Sequence, residues 1–130
     1  MEINRPEVMA EMVDLFARYE AALVGNDVAT LQAMFWASPR TIRYGAAEML
    51  YGHEEIGAFR QARSPLGLAR RLAGTVITTY GHDFATTCTL FERDSAPGMV
   101  GRQTQSWVRM AEGWRIVAAH VSVIPRPETA

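Results

Sequence analysis

The stretch that decides the fold lies near the carboxyl end: Gly113-Trp114-Arg115-Ile116-Val117-Ala118-Ala119-His120-Val121-Ser122-Val123. Its β-branched and aromatic residues predict one long strand. Successive side chains of a strand point to opposite faces, which divides the stretch into two sets. One set holds Trp114, Ile116, Ala118, His120 and Ser122, and the other holds Arg115, Val117, Ala119, Val121 and Val123. Because His120 and Ser122 are polar, we expect the first set to line a cavity and the second to need another cover.

Three further β segments precede this strand. From Ala69 onward the chain is rich in Thr, Val and Ile, and turn signals stand at 81–83, 94–98 and 112–113. Three turns imply four strands, and strands joined by short turns pair antiparallel with their neighbours. We therefore expect a mostly antiparallel sheet with one face covered by helices.

The amino-terminal half alternates between helices and a hairpin. Asn4 and Glu7 resemble a capping box for a first helix that ends at Gly25, and Asn26-Asp27 can cap a second. Two short strands at 41–45 and 48–52 predict a hairpin, and a third helix runs from Glu54 to about Arg63. This order predicts a single α+β domain over residues 1–130, in which a cone-shaped curved sheet encloses a cavity beneath the helices.

The composition narrows the possible partners and the compartment. The chain has 130 residues, a net charge of −1 and a pI near 6.3, which argues against binding to nucleic acid or to an anionic membrane surface. No apolar run approaches the roughly 20 residues that span a bilayer, and the amino terminus lacks an export pattern. With Cys88 as its single cysteine, the chain is expected to be cytoplasmic.

All 13 basic residues are arginine. The absence of lysine excludes Schiff bases, phosphate-loop lysines and lysine bases from the chemistry. A genome biased toward arginine codons would also explain why all basic residues are arginine. Arginine is, however, the better side chain for bidentate recognition of carboxylates in partly buried sites.

Several local motifs resemble a known family. Gly113-Trp114-Arg115-Ile116 with His120-Val121-Ser122 is similar to the closing strand of nuclear transport factor 2-like and SnoaL-like proteins. A narrower resemblance, to the AtzH-like family, is carried by 4–6, 19–23, 26–27, 35–36, 43–45, 59–60 and 101–107. That family is associated with bacterial catabolism of ureides and triazine-derived carboxylated ureas, and its name-giving member is described as a decarboxylating amidohydrolase. The resemblance thus implies the nuclear transport factor 2-like fold and a small-molecule hydrolase of this kind.

Arginines mark a candidate ligand site on the third helix. Ile56, Phe59, Arg60 and Arg63 share one helical face, so two arginines interrupt an apolar stripe. Burying an unpaired guanidinium is costly, so each needs a protein carboxylate or an anionic ligand. The carboxylates available as internal partners are Glu20, Glu48, Asp83 and Glu92. Together with Arg43 and Arg102, whose faces the pattern does not fix, these arginines would bind a small carboxylate-bearing molecule.

The candidate proton carriers are Tyr19 and His120, with Arg43 as a third catalytic candidate. Tyr19 lies on the buried stripe of the first helix, and His120 titrates near neutral pH. Either residue can instead be purely structural.

Other residues have two interpretations. Gln103, Gln105 and Trp107 share a face, where the amides would recognise a ureido group unless the row faces solvent or a partner subunit. Trp36 is a pocket wall or a core residue, and Asn26 is a ligand contact or a helix cap. Ser122 is expected beside His120 in the cavity.

No metal-ligand spacing, nucleophile elbow or phosphate loop is present, so we expect no metal and no cofactor. The first hypothesis is a metal-free decarboxylating amidohydrolase that acts on a small carboxylated urea. The alternative is a non-catalytic acid-binding protein or an accessory subunit of an amidohydrolase. An isomerase or dehydratase for an apolar ring is a third reading, which the arginines disfavour. The apolar outer face of the closing strand predicts a homodimer.

Overall fold

The computed structural model describes residues 1–127 as three helices and one six-stranded sheet. The elements, in chain order, are α1 (Pro6–Val24), α2 (Val28–Met34), β1 (Ile42–Tyr44), β2 (Met49–Tyr51), α3 (His53–Ala62), β3 (Arg71–Tyr80), β4 (Phe84–Glu92), β5 (Met99–Met110) and β6 (Gly113–Pro125). The strand order is β2-β1-β6-β5-β4-β3, and all pairs are antiparallel except β1 with β6. The predicted element order, hairpin and four-stranded meander are confirmed.

The start of α1 differs from the predicted capping box. Arg5 occupies the N-cap position without a side-chain cap bond, and Pro6 opens the helix. Asn4 instead has a left-handed backbone with φ of 58° and exchanges two hydrogen bonds of 2.9 Å with the backbone of Thr79. Asn4 therefore fastens the amino terminus to β3, whereas the predicted cap of α2 is confirmed at Asp27, which accepts from the Thr30 amide.

A β-bulge in β6 changes which residues face inward. Ser106 pairs with Ala118, but the next residue of β5, Trp107, pairs with Ile116, so Val117 is an extra residue in the ladder. An extra residue shifts the alternation by one position. Trp114 and Ile116 point inward, as expected from the sequence. Beyond the bulge, the buried position is Ala119, and the next residue, His120, is exposed.

The inner face of the sheet forms ordered rows across the strands. One row runs from Arg43 through Ala119, Gln105 and Thr87 to Ile77. Its members are fully or largely buried. The row that lies two residues earlier in β5 contains Gln103, so polar side chains occupy this part of the inner face.

The rest of the interior is apolar. Met12 of α1, Phe35, Trp107 and Ile116 are all at most 1% exposed and belong to one core cluster. This cluster joins the helices to the bulged part of β5 and β6, and the polar rows lie to one side of it.

Of the helices in the described residues, none has the length and apolar character needed to cross a membrane. The cytoplasmic location stays a prediction from the sequence.

Candidate functional site

Arg60 is the centre of the candidate site. It lies in the last turn of α3, and only 1% of the residue is exposed. Its Nη2 donates a 3.0 Å hydrogen bond to the hydroxyl of Tyr19, which α1 places on the buried side of the helix. Its Nε and Nη1 are buried and have no partner among the described residues. Two donor nitrogens of the buried Arg60 guanidinium therefore remain free for a ligand.

Four other arginines surround this pair, and we call the set of five the arginine cluster: Arg43, Arg60, Arg63, Arg70 and Arg93. They come from β1, from α3 and its carboxyl end, and from the segments flanking β3 and β4. Because these elements meet in one part of the fold, burial and neighbouring positive charges together lower the pKa values of Arg43, Arg63 and Arg93.

Two members of the cluster are neutralised by carboxylates. Arg43 pairs with Glu48 at 2.8 Å across the β1–β2 hairpin. Arg70, with 2% of its side chain exposed, binds both oxygens of Glu20 at 2.8 and 2.6 Å. Charge-assisted bidentate pairs of this kind are among the strongest hydrogen-bonded contacts of a guanidinium.

The other three members have no such partner. None of the ion pairs among the described residues includes Arg60, Arg63 or Arg93. Burial, together with the charges of Arg60, Arg93 and Arg43, lowers the pKa of Arg63 to about 10. Burial and the charge of Arg70 likewise lower the pKa of Arg93. The site therefore carries an excess of positive charge at neutral pH.

Aromatic rings support the guanidinium groups. Arg43 and Arg63 lie 5.3 and 6.0 Å from the centroid of the Phe59 ring. Arg70 and Arg93 lie 4.5 and 4.9 Å from that of Phe91. Such cation–π contacts attract the cations without neutralising them.

Gly101 makes room for one of these rings. A Cβ atom at this position would overlap the ring of Phe91, which packs across β5. The absence of a side chain at residue 101 therefore allows Phe91 to lie against the arginines.

The charge of the cluster also acts on Tyr19. Burial alone raises the pKa of its hydroxyl, but the positive charges of Arg60, Arg43 and Arg70 outweigh burial and lower the pKa from its ordinary value of 10. The hydrogen bond from Arg60 acts in the same direction. Tyr19 is thus a more acidic proton donor than an ordinary tyrosine.

The floor of the site is built by the polar rows of the sheet. Arg43 and Gln105 lie in one row on either side of Ala119, so their Cα atoms are roughly 10 Å apart at the usual strand spacing. In the next row, Gln103 accepts a 3.1 Å hydrogen bond from Arg70, while its own amide nitrogen is buried without a partner.

Three residues predicted for the site lie on the outer face of the sheet, away from the arginine cluster: His120, Ser122 and Arg102. The prediction that His120 and Ser122 face the cavity is wrong, because the bulge at Val117 turns both to the outer face. There, His120 packs edge-on against Tyr44 with ring centroids 6.0 Å apart. Arg102 is on the same face and donates a 3.0 Å bond to Ser122. For the same reason Val121, expected to meet a partner subunit, shares the inner row of Gln103.

Two further candidates have structural contacts. Asn26 adopts a left-handed conformation with φ of 52° and forms the turn between α1 and α2. The Trp36 amide donates to Ile116 at 2.9 Å, and its half-buried ring makes none of the site's cation–π contacts. Their roles in ligand binding stay predictions that no contact supports.

Two residues of the site and one pairing have no signal in the sequence. Arg70 and Arg93 each lie next to a strand, where neither the helical nor the strand period indicates the direction of the side chain. Glu20 is among the carboxylates predicted to pair with Arg60 or Arg63. Its actual partner, Arg70, is separated from it by 50 positions in the sequence, so no local pattern predicts the pair. Arg60, by contrast, is buried as its helical spacing predicted.

One surface cavity is separate from the arginine cluster. It has a volume of about 850 Å³ between α2 and α3 and includes Gln32, His53 and Arg115 in its lining. It contains no member of the cluster and is dominated by small apolar side chains, so we assign the chemistry to the buried arginines. In residues 1–127, no group of three or more His, Cys, Asp or Glu side chains is placed to hold a metal ion.

Comparison with known proteins places this geometry in a family. The AtzH-like family model matches residues 1–127. A crystal structure of a protein of unknown function from the DUF3225 family of Pectobacterium atrosepticum is 56% identical, with a TM-score of 0.91 and 94% of each chain covered. A cystatin-like fold protein from Burkholderia xenovorans is 48% identical, with a TM-score of 0.93 and coverage of 98% of this chain and 99% of that one.

More distant structures share only the fold. A nuclear transport factor 2-like superfamily protein from Salmonella enterica is 23% identical, with a TM-score of 0.70 and coverage of 95% of this chain and 94% of that one. A search of curated proteins gives no match. The chain has the nuclear transport factor 2-like, cystatin-like fold, and it belongs to the AtzH-like family.

Proposed function

We propose that this protein is a small-molecule enzyme that binds a carboxylated urea in the arginine cluster and removes a carboxylate from it. One observation carries the proposal: Arg60 is almost fully buried and, within residues 1–127, has no carboxylate partner and keeps two nitrogens free. A guanidinium in this state is costly unless an anion completes its hydrogen bonds.

The charge balance favours a small acid. Five arginines converge on the site, and among the described carboxylates only Glu48 and Glu20 neutralise any of them. A ligand with one or two carboxylates would offset the remaining charge. An apolar ring would leave the cations unpaired, so the isomerase or dehydratase reading has no support from this site.

Tyr19 is the proposed proton donor. Its oxygen accepts from Arg60, so its own proton is available to the ligand. In the proposed step the bond between the urea nitrogen and the carboxylate carbon breaks. The electron pair stays on the nitrogen, which takes the proton of Tyr19, and carbon dioxide leaves. Water returns a proton to the phenolate, while the cluster stabilises negative charge on the urea.

This step requires a proton donor and no base-activated water. His120, the only histidine among the predicted catalytic residues, lies outside the site, and the carboxylates of Glu20 and Glu48 are engaged by arginines. Proton donation is therefore the chemistry that the buried side chains support best.

The test is carbon dioxide release from a ¹³C-labelled N-carboxylated urea, measured against the spontaneous rate in buffer. We expect the wild type to exceed the spontaneous rate at least 100-fold. Tyr19→Phe and Arg60→Gln should each lose about 100-fold or more. Arg102→Gln, which removes an arginine of the outer face, is the matched control and should keep full activity. Release at the spontaneous rate by folded wild-type protein refutes the catalytic function.

A non-catalytic acid-binding protein, or an accessory subunit of an amidohydrolase, is the second candidate. The observation that favours it is the lack of an uncommitted base in the site, since both nearby carboxylates are paired. Calorimetric binding of a dicarboxylate by Arg60-dependent contacts, without turnover of any carboxylated urea, would decide for this candidate.

We also propose that the protein forms a homodimer through the outer face of the sheet. This face carries Tyr44, His120 and Thr104 in one row, and Val76, at the end of that row, is 58% exposed. A large charged side chain at the centre of this face should disrupt its packing against a second copy, so Thr104→Arg is expected to give a monomer that still binds the acid. Light scattering at micromolar concentration measures the mass, and a monomeric wild type contradicts the dimer.

A further inference from the structure

The hydrogen bonds on the floor of the site have a defined direction. We propose that Thr87 and Arg70 are positioning residues, which lock the amides of Gln105 and Gln103 with their NH₂ groups toward the ligand. The site then recognises only acceptor atoms. This inference rests on the proposed acid-binding function and adds the rule by which the site selects among acids.

The first lock is a chain of three buried side chains. The Trp107 indole donates to the Thr87 hydroxyl at 3.0 Å, and this hydroxyl lies 2.9 Å from Oε1 of Gln105. An indole nitrogen can only donate, so Thr87 accepts from Trp107 and gives its single proton to Gln105. If the Gln105 amide were reversed, its NH₂ would face Thr87 and leave a buried hydroxyl proton unpaired. Oε1 is thus held against Thr87, and Nε2 is the end available to a ligand.

The second lock is ionic. Nη2 of Arg70 donates to Oε1 of Gln103 at 3.1 Å, while Nε2 of Gln103 is buried and has no partner among the described residues. Reversal of this amide would bring its donors against a guanidinium. The arginine that binds Glu20 therefore also fixes the direction of Gln103.

After these hydrogen bonds have formed, the polar groups of the site that remain available to a ligand are mainly donors, because its acceptors are already paired. The oxygens of Tyr19, Glu20 and Glu48 already accept from arginines. The buried groups without partners include Nε and Nη1 of Arg60 and Nε2 of Gln103, all of which donate. A carboxylate or urea oxygen fits this array, whereas a carboxamide NH₂ placed there would meet other donors. In the proposed reaction, loss of carbon dioxide replaces an acceptor by an N–H, so the product should bind less tightly than the substrate.

The test compares malonate with malonamate, in which one carboxylate becomes a carboxamide, by calorimetric titration of three proteins. Wild type should bind malonate at least tenfold more tightly. Thr87→Val keeps the volume but removes the lock, so the Gln105 amide can rotate and the preference should fall at least threefold. Thr87→Ser restores the hydroxyl and should keep the wild-type ratio. If Thr87→Val does not fold, Gln105→Met removes the amide itself and should lower the ratio as well.

The outcomes separate this inference from the function on which it rests. No binding of malonate to wild type overturns the acid site and this inference with it. Malonate binding with no preference over malonamate, or with a ratio unchanged in folded Thr87→Val and Gln105→Met, overturns the locks alone and leaves the acid site standing.

Discussion

At the scale of single residues, the contrast between Arg60 and Arg70 distinguishes a ligand-binding arginine from a structural one. Both are buried, and both contact an aromatic ring. Arg70 donates two hydrogen bonds to the carboxylate of Glu20, which neutralises it, whereas the one side-chain hydrogen bond of Arg60 among the described residues goes to the neutral hydroxyl of Tyr19. Removing an unpaired buried charge relieves a cost, but removing one partner of a buried pair creates a new one.

Substitution by methionine should therefore act in opposite directions at these two positions. Arg60→Met is expected to stabilise the protein by about 1–3 kcal/mol, while Arg70→Met should destabilise it by about 3 kcal/mol because Glu20 loses its partner. Urea denaturation of the ligand-free variants measures both free energies of unfolding. A loss of stability of similar size in both variants would show that Arg60 is as structural as Arg70.

The pH dependence of the reaction should report on Tyr19. Its pKa is lowered from 10, and a proton donor works only while protonated, so the rate should fall as pH rises through this lowered pKa. Below it, loss of the Tyr19 proton should not limit the rate. Tyr19→Phe should lose about 100-fold in rate and show no such alkaline decline. An alkaline decline of the same midpoint in Tyr19→Phe would assign the titration to another group.

At the scale of elements, the bulge in β6 separates what the sequence could predict from what it could not. Strand positions follow from β-branched residues and turn signals, and the buried face of α3 follows from helical spacing, so these predictions were confirmed. A bulge depends on how two strands pair, and nothing around Val117 marks it in the sequence. This one residue moved His120 and Ser122 out of the site. The pairs Arg70–Glu20 and Arg60–Tyr19 join distant segments and likewise leave no local pattern.

Neighbouring alanines of β6 test the position of the bulge. Ala119→Val adds two methyl groups to the floor between Arg43 and Gln105, so it should weaken binding of malonate at least tenfold. Ala118→Val places the same group on the outer face and should leave the affinity within twofold of wild type. The reverse pattern would mean that the uninterrupted alternation predicted from the sequence is correct.

At the scale of the whole molecule, the interior is divided between packing and binding. Trp107, Ile116 and Phe35 belong to the apolar core on one side of the interior, while the arginine cluster and the glutamine rows occupy the other side. The polar side opposes folding through its excess of positive charge. An acid that binds only the folded state should therefore stabilise the entire chain.

We expect malonate to raise the unfolding free energy by about 2.7 kcal/mol at 100 times its dissociation constant. Sodium chloride at equal ionic strength is the control, because screening alone should give a much smaller change. Thermal unfolding followed by circular dichroism measures the effect. Equal stabilisation by malonate and chloride would indicate general screening of the arginines without a binding site.

The central claim, that the free nitrogens of Arg60 bind a carboxylate, is tested most directly by a crystal structure of the protein with malonate. The account predicts malonate carboxylate oxygens within hydrogen-bond distance of Arg60 Nε or Nη1, beside the Tyr19 hydroxyl and Nε2 of Gln103. A structure at saturating malonate in which these atoms contact only water or a protein carboxylate would contradict it.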